Sequence, residues 1–163
     1  MLSAEEKQFP PFYVYKIADN DKLVPFEIND LHGRSWSNKS FLSRPMIFIT
    51  GNWKLRHDIR KWADYLSLNF NNTVDVLWLF NPSGTEFADH QNRIESAFAK
   101  IRPPVPVLVD YHSLIGRSLQ ICYQIPTVIG LTRKNRLAFV VASPLNEAAK
   151  TQINALINNK LFK

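Results

Sequence analysis

Residues 45–62 read PMIFITGNWKLRHDIRKW, and this stretch decides the fold class. Met46–Thr50 is apolar nearly throughout, as strands buried on both faces are. The period then changes. Leu55, Ile59, Trp62, Leu66 and Phe70 recur at three- and four-residue steps, so residues 54–70 predict a helix. A buried strand that runs into an amphipathic helix is the opening of a β-α-β unit, which belongs to sheets covered by helices.

The chain on either side continues that alternation. Asn71-Asn72 ends the helix, and TVDVLWLF (73–80) reads as the next strand, closed by the turn NPSGT. Residues 86–100 predict a second helix with Phe87, Ile94, Ala97, Phe98 and Ile101 apolar. Glu86 and Asp89 stand near its positive end, where acids help. RPPVP breaks it, VPVLVD (105–110) is a third buried strand, and SLIGRSLQI (113–121) is a short helix. PTVIGLT and LAFVVA predict a hairpin around RKNR. The terminal helix, residues 143–162, takes Ser143 as N-cap and Pro144 as first residue. Upstream, FYVYKI and VPFEI read as two strands around ADNDK, and NDLHGRSWS holds a turn at Gly33. Residues 1–11 read as a flexible lead and residues 12–163 as one domain. The fold class is therefore α/β, with a mixed sheet and helices on both faces.

Composition removes several function classes. With 163 residues, 45% of them apolar and 21% charged, the chain has enough material for one proper core. No apolar run approaches the roughly 20 residues that cross a bilayer, so no transmembrane segment is expected. The N-terminus lacks the apolar stretch of a signal peptide. The net charge of +6 permits acidic partners, but the basic residues are scattered and match no nucleic-acid motif, so no nucleic acid is expected. The chain has one cysteine, Cys122, and so cannot form an internal disulfide. His32, His57, His90 and His112 show no metal-ligand spacing, and there is no glycine-rich phosphate loop or nucleophile elbow. No metal and no cofactor is predicted.

Three segments carry a resemblance when taken in order. VPFEINDLHGRSWSNKSFLSRPMIFIT (24–50) reads as an opening hairpin, a DLxG turn and a first core strand. GNWKLRHDIRKW (51–62) reads as an active-site loop and its helix. VPVLVDYHSLIGRSLQICYQIPTVIGLTRKNRL (105–137) reads as strand, short helix, Ile-Pro-Thr turn and hairpin. Together they resemble the thioredoxin-like superfamily, in the branch of the TlpA/ResA thiol–disulfide proteins and the AhpC/TSA peroxiredoxins, over roughly residues 24–160. The resemblance implies a three-layer α/β/α sandwich with a mixed central sheet and an N-terminal β-hairpin extension. It implies a cis Pro126 facing the loop at Trp53. Beside it, the free backbone of Ile125 would accept an extended peptide as an added strand. It also leans toward an extracytoplasmic, periplasmic bacterial protein.

The departure from that family is equally definite. The family's Trp-Cys-x-x-Cys frame reads here Trp53-Lys54-Leu55-Arg56-His57. Thiol–disulfide exchange needs one thiolate to attack sulfur and a second thiol to resolve the mixed disulfide. Lys54 and His57 do neither. A helix N-terminus favours negative charge, so the local field opposes the cations placed there. Either Lys54, Arg56 and His57 point to water, or they recruit an anion to the loop. Trp53 anchors the loop and offers an apolar surface. Cys122 reads as a small buried hydrophobe. The functional expectation is a redox-inactive thioredoxin-like domain that binds or scaffolds a protein or peptide. Its candidate contacts are Trp53, Lys54, His57, Ile125, Pro126 and Thr127. The alternatives are a thiol-dependent oxidoreductase or peroxidase using Cys122, and an anion or membrane-surface binder.

Overall fold

The computed structural model describes residues 13–15, 25–41, 43–87, 90–159 and 162. The lead at residues 1–11, the turn ADNDK and Asp89 lie outside the described residues.

Strand β4, Met46–Thr50, is buried at every position. Its alternate side chains divide the interior in two, because successive residues of a strand point to opposite faces. Ile47 and Ile49 enter one cluster, Met46 and Phe48 the other. β4 lies parallel to β5, Asp75–Phe80, and antiparallel to β7, Thr127–Leu131. β6, Val107–Val109, extends the parallel side, and β8, Leu137–Ala142, extends the other. β1, Tyr13–Tyr15, pairs antiparallel with β8, completing a six-stranded mixed sheet in the order β1-β8-β7-β4-β5-β6.

Helices α1 (Arg56–Phe70), α2 (Gln91–Ile101) and α4 (Glu147–Asn158) supply one face. The predicted stripe of α1 is the buried one. Ile59, Trp62 and Leu66 are fully enclosed, each contributing about 1.5–3 kcal/mol of burial. Trp62 also donates its indole N–H to the Ser143 carbonyl at 2.8 Å, which ties α1 to the start of the last helical segment. The opposite face is covered by α3, Leu114–Ser118, and by the hairpin of β2, Glu27–Asn29, and β3, Ser35–Ser37. Phe26 and Trp36 of the hairpin region pack there with Ile115 and Leu119.

Three local expectations are corrected. The N-terminal hairpin is present, but it pairs β2 with β3, whereas β1 joins the sheet edge at β8. Asp30 explains the choice. Its carboxylate accepts the backbone N–H of His32 and Arg34 and the indole N–H of Trp36, closing the turn in which Gly33 adopts φ +84°. α2 begins at Gln91 rather than near Glu86, and its first turn has no acid. The N-cap of α4 is Asn146, whose side chain accepts the Ala149 N–H at 2.8 Å, not Ser143. Ser143 is buried and committed elsewhere, with its N–H on the Pro126 carbonyl.

Candidate functional site

The candidate site begins where β4 ends. Gly51 is buried under the loop, and a Cβ there would stand 3.0 Å from Ile59 Cδ1 and 3.3 Å from Leu55 Cδ1, so a larger residue would require these side chains to shift. Asn52 donates its N–H to the Tyr123 carbonyl at 2.8 Å, which binds this loop to the segment that precedes β7. Residues 53–55 form a 3-10 turn leading into α1, closed by Leu55 N–H on the Asn52 carbonyl at 3.0 Å. Asn52 Oδ1 is buried without a hydrogen-bond partner, an arrangement that costs about 1–3 kcal/mol.

Trp53 is pinned rather than displayed. Its ring meets Phe80, Phe87 and Phe98 edge-on, at centroid separations of 5.5, 5.1 and 5.3 Å. The Arg56 guanidinium lies 5.1 Å from its centroid and donates to the Trp53 carbonyl at 3.1 Å. Lys54 and His57, one and four residues after this anchor, are exposed. The first turn of α1 holds one acid, Asp58.

A groove of about 800 Å³ opens beside Trp53, between α1 and α2. Arg56, His57 and Arg60 line it from α1, and Arg93 and Lys100 from α2. Its apolar lining comes from Trp53, Phe87, Ala97 and Ile101. Arg60 is partly engaged, donating to the Ile101 carbonyl and standing 3.7 Å from Asp64. Arg93 and Lys100 are exposed.

A second polar cluster sits under the segment that carries Cys122. Asp110 is buried, and its carboxylate accepts the Leu114 and Gly116 N–H groups at 2.9 and 3.0 Å, capping α3. Tyr123 lies beside it, with its hydroxyl against Gly116. Burial pushes the Tyr123 phenol up from its ordinary pKa, the nearby Asn81 side chain opposes this, and the Asp110 charge adds to the rise, while the hydroxyl itself is buried without a hydrogen-bond partner among the described residues. Among the described residues, no group of three His, Cys, Asp or Glu side chains could hold a metal. No helix among them is long and apolar enough to cross a membrane.

No protein-family model matches the chain, and no curated protein sequence matches it. Solved structures do. The pneumococcal exposed lipoprotein thioredoxin Etrx1 of Streptococcus pneumoniae superimposes with a TM-score of 0.65 at 13% identity, covering 80% of this chain and 97% of that one. A thiol:disulfide interchange protein of the thioredoxin family from Chlorobium tepidum gives 0.62 at 14% identity, over 88% and 100% of the two chains. Peroxidoxin BcpB of Mycobacterium tuberculosis gives 0.62 at 14% identity, over 84% and 94%. The fold is thioredoxin-like.

Within this thioredoxin-like frame, two predictions about the site are corrected. The Ile125–Pro126 bond is trans, since no cis peptide bond occurs among the described residues. Trans is the ground state of such a bond by about 0.5–1 kcal/mol. The flanking groups here are satisfied in that form, because Thr127 Oγ1 donates to the Ile125 carbonyl at 2.8 Å and the Pro126 carbonyl takes the Ser143 N–H. Thr127 begins β7, which lies between β4 and β8 within the sheet. Pro126 and Thr127 are buried, and Ile125 is half-buried. Cys122 is exposed rather than packed inside. The chain turns outward there, with Gln120 at φ 53° and Leu119 taking the core position instead.

The structure therefore brings Trp53, Lys54 and His57 together on one loop, with Ile125 on a segment tied to it through Tyr123. The groove beside Trp53 and His57 is lined by neither Lys54, Ile125, Pro126 nor Thr127. Arg60, Arg93 and Lys100 were not singled out from sequence. The spacing of Arg93, Ala97 and Lys100 on α2 was the available signal, since i, i+4 and i+7 share a helix face.

Proposed function

We propose that this domain works by holding a protein or peptide partner at the loop of residues 53–57, without thiol–disulfide exchange. The observation that carries this reading is the pair Lys54 and His57. Both are exposed, at the positions where the family frame expects cysteines. The chain's one thiol sits on a different segment. Exchange by a dithiol needs a resolving thiol that the chain does not have. Trp53, Lys54, His57 and Ile125 form the contact surface in this reading, and Pro126 and Thr127 support it from beneath. Reduction of insulin disulfides with dithiothreitol as electron source is the direct test. No acceleration over dithiothreitol alone is expected, and turnover comparable to that of a thioredoxin would overturn the reading.

One observation favours a second reading. Cys122 is exposed and is followed by Tyr123, whose carbonyl is bonded to the loop at Asn52. A thiol there could take an oxygen atom from a peroxide to become a sulfenic acid, with an external thiol restoring it. Rapid alkylation of the native protein, with loss of a thiol-dependent peroxide consumption, supports this enzyme. Peroxide consumption unchanged in Cys122→Ser excludes it.

A further inference from the structure

We propose that the α1–α2 groove binds an acidic, amphipathic peptide segment of a partner protein. The proposal rests on the binding reading above and names the surface and the chemistry of the partner. Arg56 and Arg60 stand one helical turn apart on α1, and Arg93 and Lys100 two turns apart on α2, so a row of cations borders each side. Against these four, the groove lining has one carboxylate among the described residues, Glu86. Trp53, Phe87, Ala97 and Ile101 add apolar surface between the two rows. Cationic sides around apolar surface match a chain that presents carboxylates flanking apolar anchors, and charge complementarity of this kind sets partner choice and encounter rate.

The same geometry argues against other polyanions. A single-stranded nucleic acid would use an aromatic face on which bases stack. The half-buried Trp53 ring packs against Phe80, Phe87 and Phe98 and carries the Arg56 guanidinium, which competes with a base for its face. A vesicle surface is broad and flat, and a concave groove between helices presents its cations to a narrow ligand instead. Inorganic phosphate would leave the apolar lining unused.

The test uses the full chain and a fluorescein-labelled peptide in which Glu alternates with Leu and Phe. The controls are a peptide with Lys in place of Glu, a poly-glutamate peptide, a single-stranded oligonucleotide and phosphatidylglycerol vesicles. Anisotropy should show binding of the Glu/Leu/Phe peptide that weakens as salt rises from about 0.05 to 0.3 M. The poly-glutamate peptide should bind less well. Arg93→Glu with Lys100→Glu should weaken binding at least about tenfold while circular dichroism stays unchanged. Both residues are exposed helix positions, so folding is retained. No binding of the acidic peptide, equal binding of the Lys peptide, or preference for the oligonucleotide or vesicles each overturns the proposal. If binding survives the α2 charge reversal but is lost in Lys54→Glu with Ile125→Asp, the groove assignment fails and the loop reading stands. If no variant changes the binding, both fail.

Discussion

Placing thiols back into the loop tests whether the redox frame is physically intact. The variant is Lys54→Cys with His57→Cys in a Cys122→Ser background, so that no third thiol competes. Positions 54 and 57 span the 3-10 turn and the first residues of α1. Residues three apart on a helix have Cβ atoms about 5–6 Å apart, and a disulfide needs about 3.5–4.5 Å. In a 3-10 turn the i and i+3 side chains eclipse, which points the two thiols the same way, and a local adjustment of about 1–2 Å at this helix start closes the remaining gap. The two thiols should therefore form an internal bridge under mild oxidation. The thiol at position 54 should also be acidified by the helix N-terminus and by nearby Arg56. A free thiol with a pKa of about 8.5 is roughly 3% ionised at neutral pH, and one lowered to about 7 is roughly half ionised. That is a gain of about 16-fold in thiolate. Falling nucleophilicity, with a Brønsted slope of about 0.4–0.5, returns most of it and leaves about a threefold faster reaction. The assay is thiol titration before and after oxidation, with the pH dependence of iodoacetamide alkylation measured on Lys54→Cys, Cys122→Ser alone. Two titratable thiols after oxidation, together with an apparent pKa at or above that of a free thiol, would refute both the geometric and the electrostatic argument.

Three further outcomes follow from the packing. Gly130→Ala would place a methyl 2.3 Å from Phe139 Cε1 and 2.5 Å from its Cζ, and that ring is buried against Phe162 at 5.1 Å. Overpacking of this kind costs about 1–3 kcal/mol, so the urea midpoint should fall, and an unchanged midpoint contradicts the packing. Gly116→Ala would bring its methyl 2.2 Å from the Tyr123 hydroxyl, so Tyr123→Phe should recover most of the loss in the double variant, and strict additivity would show that the two do not meet. The Tyr123 phenol is raised in the folded protein, chiefly by burial, so the folded state keeps its proton longer than the unfolded chain does. Its contribution is full below a pH of about 10 and is lost as pH climbs through the folded value. Tyr123→Phe should flatten the alkaline decline in stability, measured by denaturant midpoints across that range, and an identical decline in both proteins counts against it.

What was legible in the sequence is what local pattern determines. β4, β5 and β6 announced themselves because strands buried on both faces leave unbroken apolar runs, and α1 because Ile59, Trp62 and Leu66 recur at helical steps. Errors arose where two local signals competed or where the partner was distant. Ser143-Pro144 and Asn146-Glu147 are both plausible helix starts. The structure chose Asn146 because Ser143 is already bonded to Pro126 and Trp62, residues far from it in sequence. β1 looked like half of a hairpin around ADNDK, yet its partner β8 lies more than a hundred residues away. The groove was illegible for the same reason, since residues of α1 and α2 meet across intervening β5 and no spacing encodes that meeting.

The loop itself explains how its two cysteine positions could hold other residues at little structural cost. Its position depends on Gly51 beneath Ile59, on the Asn52 N–H to Tyr123 bond, and on Trp53 among three rings. None of these uses the side chain at 54 or 57, and both are exposed. Residues with no structural duty there are free to set charge, and the charge they set is positive. The helix N-terminus already favours an anion, worth about 0.3–1 kcal/mol at a surface. In a thiol enzyme that preference is consumed in stabilising the thiolate. Here no thiolate takes it up, and the Lys54 and Arg56 cations add to it. In the binding reading proposed above, the field that would acidify a cysteine favours a negatively charged group on the partner.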